Sequence, residues 1–126
     1  MRKMKHVIVA GNRDFVDYRE TCSVLNEYDW TDAEIVEGGC RGVDLLAKQY
    51  AEEHGIPVKE FPADWDKYGK RAGAIRNKQM AEYASSEGKE NCMLIAIMNH
   101  PSRGTKLMIE IARQTGIHTI IWSFTK

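Results

Sequence analysis

Three segments of this 126-residue chain pair glycine with arginine at the junction between an apolar run and a helical pattern. They are Ala10-Gly11-Asn12-Arg13-Asp14, Gly38-Gly39-Cys40-Arg41-Gly42-Val43-Asp44 and Asn99-His100-Pro101-Ser102-Arg103-Gly104-Thr105. Glycine at such a turn lets backbone N–H groups come close to an anion, and the helix N-terminus adds its positive dipole end. Strand-to-helix turns also use glycine for geometry alone. Two glycine-rich loops beside one crevice, with Arg13, Arg41 and Arg103, favour a phosphate-bearing ligand over geometry alone. Neither G-x-x-x-x-G-K-[ST] nor G-x-G-x-x-G occurs, so neither the usual ATPase loop nor standard dinucleotide binding is signalled.

A second group of candidates follows in Lys67 to Lys78, which holds five basic residues and no acid. Lys70, Arg71 and Lys78 read as a solvated face. Arg76, with Asn77 beside it, lies four residues before Met80 on an apolar stripe, so it is expected to face inward near a helix start. A buried guanidinium needs a partner. A ligand phosphate or carboxylate would serve, and so would an internal ion pair with Asp14, Asp44 or Asp64; both remain open. Trp65 and Tyr68 sit just upstream, where a ring can stack on a nucleobase, although at least one is expected to anchor its loop to the core.

Other reactive residue types are less informative. His6, His54, His100 and His118 lack metal-ligand spacing, and Cys22 and Cys92 fall on core faces, so neither a metal nor a cofactor is expected. Cys40 lies in a glycine-rich loop ahead of a helix but has no adjacent histidine. No serine–histidine–aspartate or paired-carboxylate arrangement is legible from spacing. Asp14 and Asp44 read structurally as a helix N-cap and a first-turn acid, respectively.

The elements that would position these residues alternate along the chain. Apolar stretches at His6 to Ala10, Glu34 to Glu37, Val58 to Phe61, Cys92 to Met98 and Thr119 to Trp122 read as strands. Four helical segments lie between them, with stripes such as Val43, Leu46, Ala47 and Tyr50; the third runs from about Ala72 to Ser86. Strand–helix alternation predicts an α/β fold, a single Rossmann-like domain over residues 1–126 with helices on both faces of a five-stranded parallel sheet. The near-continuous apolarity of the first and fourth strands, and the alternation in Val58-Lys59-Glu60-Phe61, predict the order 3-2-1-4-5. Ligands then bind outside the carboxyl ends of the strands, where the winding reverses between strands one and four.

Composition narrows the function classes. Eighteen basic residues balance eighteen acidic ones, which counts against a coat for duplex nucleic acid. No apolar run reaches the ~20 residues a membrane span needs. The basic start is followed by an apolar stretch too short for a signal-peptide core. Three scattered cysteines oppose a disulfide framework, so a cytoplasmic location is expected.

In order along the chain, Val7-Ile8-Val9-Ala10-Gly11-Asn12-Arg13-Asp14-Phe15, Gly38 to Asp44, Pro62-Ala63-Asp64-Trp65-Asp66-Lys67-Tyr68-Gly69-Lys70, Ile75-Arg76-Asn77-Lys78-Gln79-Met80 and Arg103-Gly104-Thr105 resemble the YspA/cpYpsA-related branch of the SLOG superfamily. These are small Rossmann-like proteins of bacteria and their phages. The resemblance implies binding of a nucleotide or nucleotide-derived ligand, as a sensor or a sink. On this reading Gly11, Asn12, Arg13, Gly38, Gly39, Arg41, Trp65, Arg76, Asn77, Arg103, Gly104 and Thr105 contact the ligand; a homodimer is left open and nucleic acid is disfavoured.

The superfamily also contains the lonely-guy phosphoribohydrolases, which release the base from a nucleoside monophosphate. Their pattern has an Arg–Lys pair before a Met, then Pro-Gly-Gly-x-Gly-Thr and, within three residues, a catalytic glutamate. Arg76 matches that arginine in its spacing to Met80, and Gly104-Thr105 match the end of the glycine motif. His100-Pro101-Ser102 replace Pro-Gly-Gly, and Leu107 and Met108 stand where the glutamate belongs. A hydrolase reading would therefore rest on Arg76 with Asp14 or Asp44. Another branch of the superfamily binds single-stranded nucleic acid, for which Lys67 to Lys78 is the candidate surface.

Overall fold

The computed structural model describes residues 4–124; Met1–Lys3 of the basic start, and the last two residues, lie outside them. Five strands, β1 (Lys5–Gly11), β2 (Ala33–Glu37), β3 (Val58–Glu60), β4 (Cys92–Met98) and β5 (His118–Ser123), form one parallel sheet in the order β3-β2-β1-β4-β5. The helices are α1 (Tyr18–Leu25), α2 (Val43–His54), α3 (Trp65–Tyr68), α4 (Ala72–Ser85) and α5 (Arg103–Thr115). The expected order and helix count hold, with one addition. The single turn α3 forms where only a loop was expected, because the Asp64 carboxylate caps it by accepting from Lys67 N at 3.1 Å.

Alternation along the central strands explains why both faces are covered. Val7 and Val9 of β1 and Ile95 and Ile97 of β4 pack with α1 and α2 on one face. Ile8, Ala10, Leu94 and Ala96 point the other way, onto α4 and α5. Ile8, Leu94, Ile95 and Ile97 are wholly excluded from solvent, each contributing roughly 1.5–3 kcal/mol of burial free energy. β3 is short and only half-buried, as its alternating sequence predicts for an edge. At the amino end of the sheet, His6 Nδ1 and Tyr83 Oη both meet Glu34 Oε1, at 2.6 and 2.5 Å, so the acid in β2 is satisfied where it is buried.

One expectation about capping is corrected. The N-cap of α1 is Asp17, whose carboxylate accepts from Glu20 N at 3.0 Å, and not Asp14. Asp14 lies further upstream, in the turn after β1, where its carboxylate pairs with His100 instead.

The carboxyl end of the sheet is shaped by one tight contact between loops. A Cβ on Gly42 would lie 2.1 Å from Asn12 O, and one on Gly11 would lie 2.1 Å from Ile97 O and 2.5 Å from Val43 Cγ2. Gly42 also has φ +80°, a region that disfavours L side chains. The absent side chains let Val43 N donate to Asn12 O at 3.2 Å, which locks the start of α2 to the β1 turn. Gly104, by contrast, sits in helical backbone with open space around it. Gly42→Ala should therefore cost about 2 kcal/mol or more in urea unfolding, whereas Gly104→Ala should be neutral or stabilising by up to about 1 kcal/mol.

Candidate functional site

The turns after β1 and β4 meet at Asn12. Its side chain, 1% exposed, accepts from Asn99 N at 2.7 Å and donates to His100 O at 3.1 Å. Asn12 is thus a strut between the two turns at the point where the winding reverses. Above it, His100 Nε2 lies 2.8 and 3.0 Å from the two oxygens of Asp14, while Nδ1 lies 2.9 Å from Pro101 O. Hydrogen bonding to Asp14 raises the His100 pKa, and the same bond lowers that of Asp14. Both groups are exposed, so this pair straps the rim and does not face the interior.

Beneath the rim lies a cavity of about 330 Å³, bounded by the β1 turn, the start of α4 and the first turn of α5. Arg13, Arg76 and Arg103 line it, and Asp44 is the acid among its lining residues. Ser102 caps α5 by accepting from Thr105 N at 3.5 Å, and its carbonyl accepts from Lys106 N at 2.9 Å. The N–H groups of Arg103 and Gly104, the first two residues of the helix, have no intrahelical acceptor. Both residues line the cavity beside Thr105, which is 4% exposed.

Arg76 faces inward, as its position on the apolar stripe requires, and is 7% exposed. Among the described residues no carboxylate comes within ion-pair distance of it. Nη1 instead donates to Gly38 O at 2.6 Å, Nε donates to Asn77 Oδ1 at 2.9 Å, and both terminal nitrogens lie 3.6 Å from Cys40 Sγ. Asn77 Nδ2 in turn donates to Gly104 O at 3.5 Å, linking the arginine to α5. A Cβ on Gly38 would fall 2.4 Å from Nη1, so glycine there is what allows the guanidinium to reach the loop.

The turn after β2 is built differently from an empty anion cradle. Gly38 N and Cys40 N both donate to Asp44 Oδ2 at 3.2 Å, and Gly39 N donates to Glu37 Oε1 at 2.6 Å. Three successive amides are thus already taken by the chain's own carboxyl groups. Burial pushes the Asp44 pKa up to about 6, against the pull of the Cys40 amide and of Arg76 and Arg13. Arg41 lies outside this cavity, in an adjoining cleft of about 240 Å³ that shares Arg13, Cys40 and Arg76 with it.

Trp65 lines the cleft, half-exposed, with the Arg13 guanidinium 6.0 Å from its ring centre. Neither Trp65 nor Tyr68 joins the buried clusters, contrary to the expectation that at least one anchors its loop. The unanticipated turn α3 carries both rings at the surface.

Residue spacing alone does not disclose a carboxyl pair, yet the sheet makes one. Register places Glu37 beside Glu60 on β3, with Glu37 fully buried. Burial first and the facing Glu60 second push Glu37 up to about 8, while Glu60 is lowered by the hydrogen bond from Glu37 and by Lys48, 3.4 Å away. An acid closing the apolar run Ala33-Glu34-Ile35-Val36-Glu37 just before Gly38-Gly39 was the available signal. Glu37 is neutral in the fold at pH 7 and ionised when unfolded, so folding takes up a proton and stability falls as pH rises from about 4.5 to about 8. Glu37→Gln keeps an acceptor for Gly39 N without that uptake. In melts across this range it should raise the melting temperature at pH 8 and change little at pH 4.5.

A family model described as YspA, cpYpsA-related SLOG family matches residues 5–68, from β1 through α3. The Gene 61 protein of Mycobacterium phage D29 is 27% identical, over 93% of this chain and 95% of that one. The crystal structure of the C-terminal domain of a hydrogenase from Pyrococcus furiosus superposes with a TM-score of 0.52 at 13% identity, covering 96% of this chain and 93% of that one. That similarity speaks to the fold alone. No helix of the described residues is long and apolar enough to cross a membrane. With the matched stretch spanning the β1 turn, the Gly38–Asp44 loop and the Trp65 segment, the chain belongs to the YspA, cpYpsA-related SLOG family.

Proposed function

We propose that the protein binds a nucleotide or nucleotide-derived ligand through its phosphate, in the cavity between the β1 turn and α5. The observation that carries this reading is that three arginines, Arg13, Arg76 and Arg103, line one cavity together with the N-terminal residues of α5, at the switch point of the sheet. Such an arrangement suits an anion because the helix dipole and the cations act together in a partly dry site. The adjoining cleft, where Trp65 is half-exposed, supplies a ring on which a base can stack. In a phage or a bacterial defence setting, a protein of this kind serves as a sensor or a sink for a signalling nucleotide.

Binding without cleavage is favoured by what lines the far side of the cavity. Met108 stands there, in the stretch where the related phosphoribohydrolases carry a glutamate, and Glu110 is exposed on α5 away from it. Cleaving an N-glycosidic bond builds positive charge on the ribose, and a thioether does not stabilise it as a carboxylate does.

Isothermal titration with the four ribonucleoside 5′-monophosphates, followed by chromatography of the mixture, tests the reading. At least one nucleotide should bind and be recovered intact. Arg13→Ala and Arg103→Ala should each weaken it about tenfold or more without moving the melting temperature, since both side chains are exposed. Release of free base would replace binding with hydrolysis, and unchanged affinity in both variants would overturn the site. A steep salt dependence for oligonucleotides but not mononucleotides would favour single-strand binding along Lys67 to Lys78 instead.

A further inference from the structure

Asp44 is the one feature of the cavity that an anion site does not need. It is 6% exposed and lies among cations, on the same cavity wall as Arg76. Its Oδ2 already accepts from two amides, Gly38 N and Cys40 N. Among the described residues no group donates to its other oxygen, Oδ1. That oxygen is not among the buried polar atoms left unsatisfied, so it is open to a donor from the cavity that Asp44 lines, and a carboxylate accepts from several donors at once. The cavity it lines therefore offers both kinds of partner. Arg13, Arg103 and the N-terminus of α5 draw negative charge, whereas Asp44 draws neutral hydrogen-bond donors.

We infer that Asp44 is the sugar-recognising residue of this site: its unpartnered oxygen accepts a hydrogen bond from a 2′ or 3′ hydroxyl of the ligand's pentose, so the ligand is held by its sugar as well as by its phosphate. The inference rests on the nucleotide reading above and adds which part of the ligand meets which wall. A sugar phosphate carries its anion and its hydroxyl donors within one small group, which suits a cavity of about 330 Å³ lined by both arginines and a hydrogen-bond acceptor. The exocyclic amine of a base is the competing donor. A base, however, needs a flat partner, and the exposed ring, Trp65, lines the neighbouring cleft and not this cavity. The sugar then occupies the cavity and the base leaves it past Arg13, which lines both.

The test compares AMP with its 2′-deoxy and 3′-deoxy analogues, and ribose 5-phosphate with 2-deoxyribose 5-phosphate and inorganic phosphate, by titration calorimetry on the wild-type protein and on Asp44→Asn. Deleting at least one of the two hydroxyls should cost the wild type about tenfold or more, the loss expected for a charge-assisted hydrogen bond. In Asp44→Asn the same deletion should cost less than about twofold, while the deoxy ligand binds at least as tightly as before because a negative charge near the phosphate is gone.

If both deoxy analogues bind the wild type as tightly as AMP, the role of Asp44 is overturned while the nucleotide reading survives. If the Asn variant still discriminates, another residue reads the sugar and the inference fails. Should ribose 5-phosphate bind no better than inorganic phosphate while AMP binds well, the donor facing Asp44 belongs to the base and the inference again fails. Should neither a nucleotide nor phosphate bind at all, the nucleotide reading falls and takes this inference with it. If Asp44→Asn does not fold, Asp44→Ser makes the same comparison, and a Ser variant that still discriminates about tenfold overturns the inference.

Discussion

The hydrogen bond from Arg76 to the carbonyl of Gly38 is the contact on which the carboxyl end of this sheet depends. A guanidinium that is 7% exposed must have its donors satisfied, and the chain satisfies them with a backbone oxygen from the turn after β2, the side chain of Asn77 and the thiol of Cys40. Because α4 and the β2 turn lie on different segments of the chain, this one side chain fixes their separation. That separation sets how far Cys40 and Asp44 stand from Arg76 along one side of the cavity. The glycine at position 38 is part of the same contact, since any side chain there would displace the guanidinium.

A second constraint is that internal anions occupy ground an external one could have used. Asp44 and Glu37 take the amides of Gly38, Gly39 and Cys40, so the β2 turn resembles an anion cradle already filled by its own carboxyl groups. What remains open for a ligand anion moves to the other side of the cavity, onto the first turn of α5. The balance of charge in the whole chain has a local counterpart here: three arginines and one aspartate face the same small volume. That mixture attracts a phosphate while giving it a preferred end, which a uniformly basic pocket would not do.

The family assignment and the chemistry of the site answer different questions. Membership in the YspA, cpYpsA-related SLOG family rests on residues 5–68, which supply the β1 turn, the β2 turn and the α3 segment. Arg76 and the Arg103–Thr105 turn lie outside that stretch, and they carry the anion-binding proposal. A Rossmann-like framework hosts many chemistries, so the ligand has to be argued from the cavity itself.

Much of the architecture was legible in the residues. Continuous apolarity in Val7 to Ala10 and Leu94 to Ile97 marks strands buried on both faces, and right-handed crossovers leave little choice in how to order them. The inward position of Arg76 followed from its four-residue spacing to Met80. Three pairings did not follow: Glu37 with Glu60, Asp14 with His100, and Asp44 with the amides of its own loop. The first two join residues 23 and 86 apart in the chain, and nothing in either local sequence specifies the partner, because strand register and loop approach are set by the packing of the whole sheet. The third is local, yet its meaning depends on burial: the same aspartate in the first turn of an exposed helix would complement the dipole and do no more. Sequence fixes which groups can ionise or donate; only the folded packing decides which are desolvated, and desolvation is what turns a charge into a recognition element.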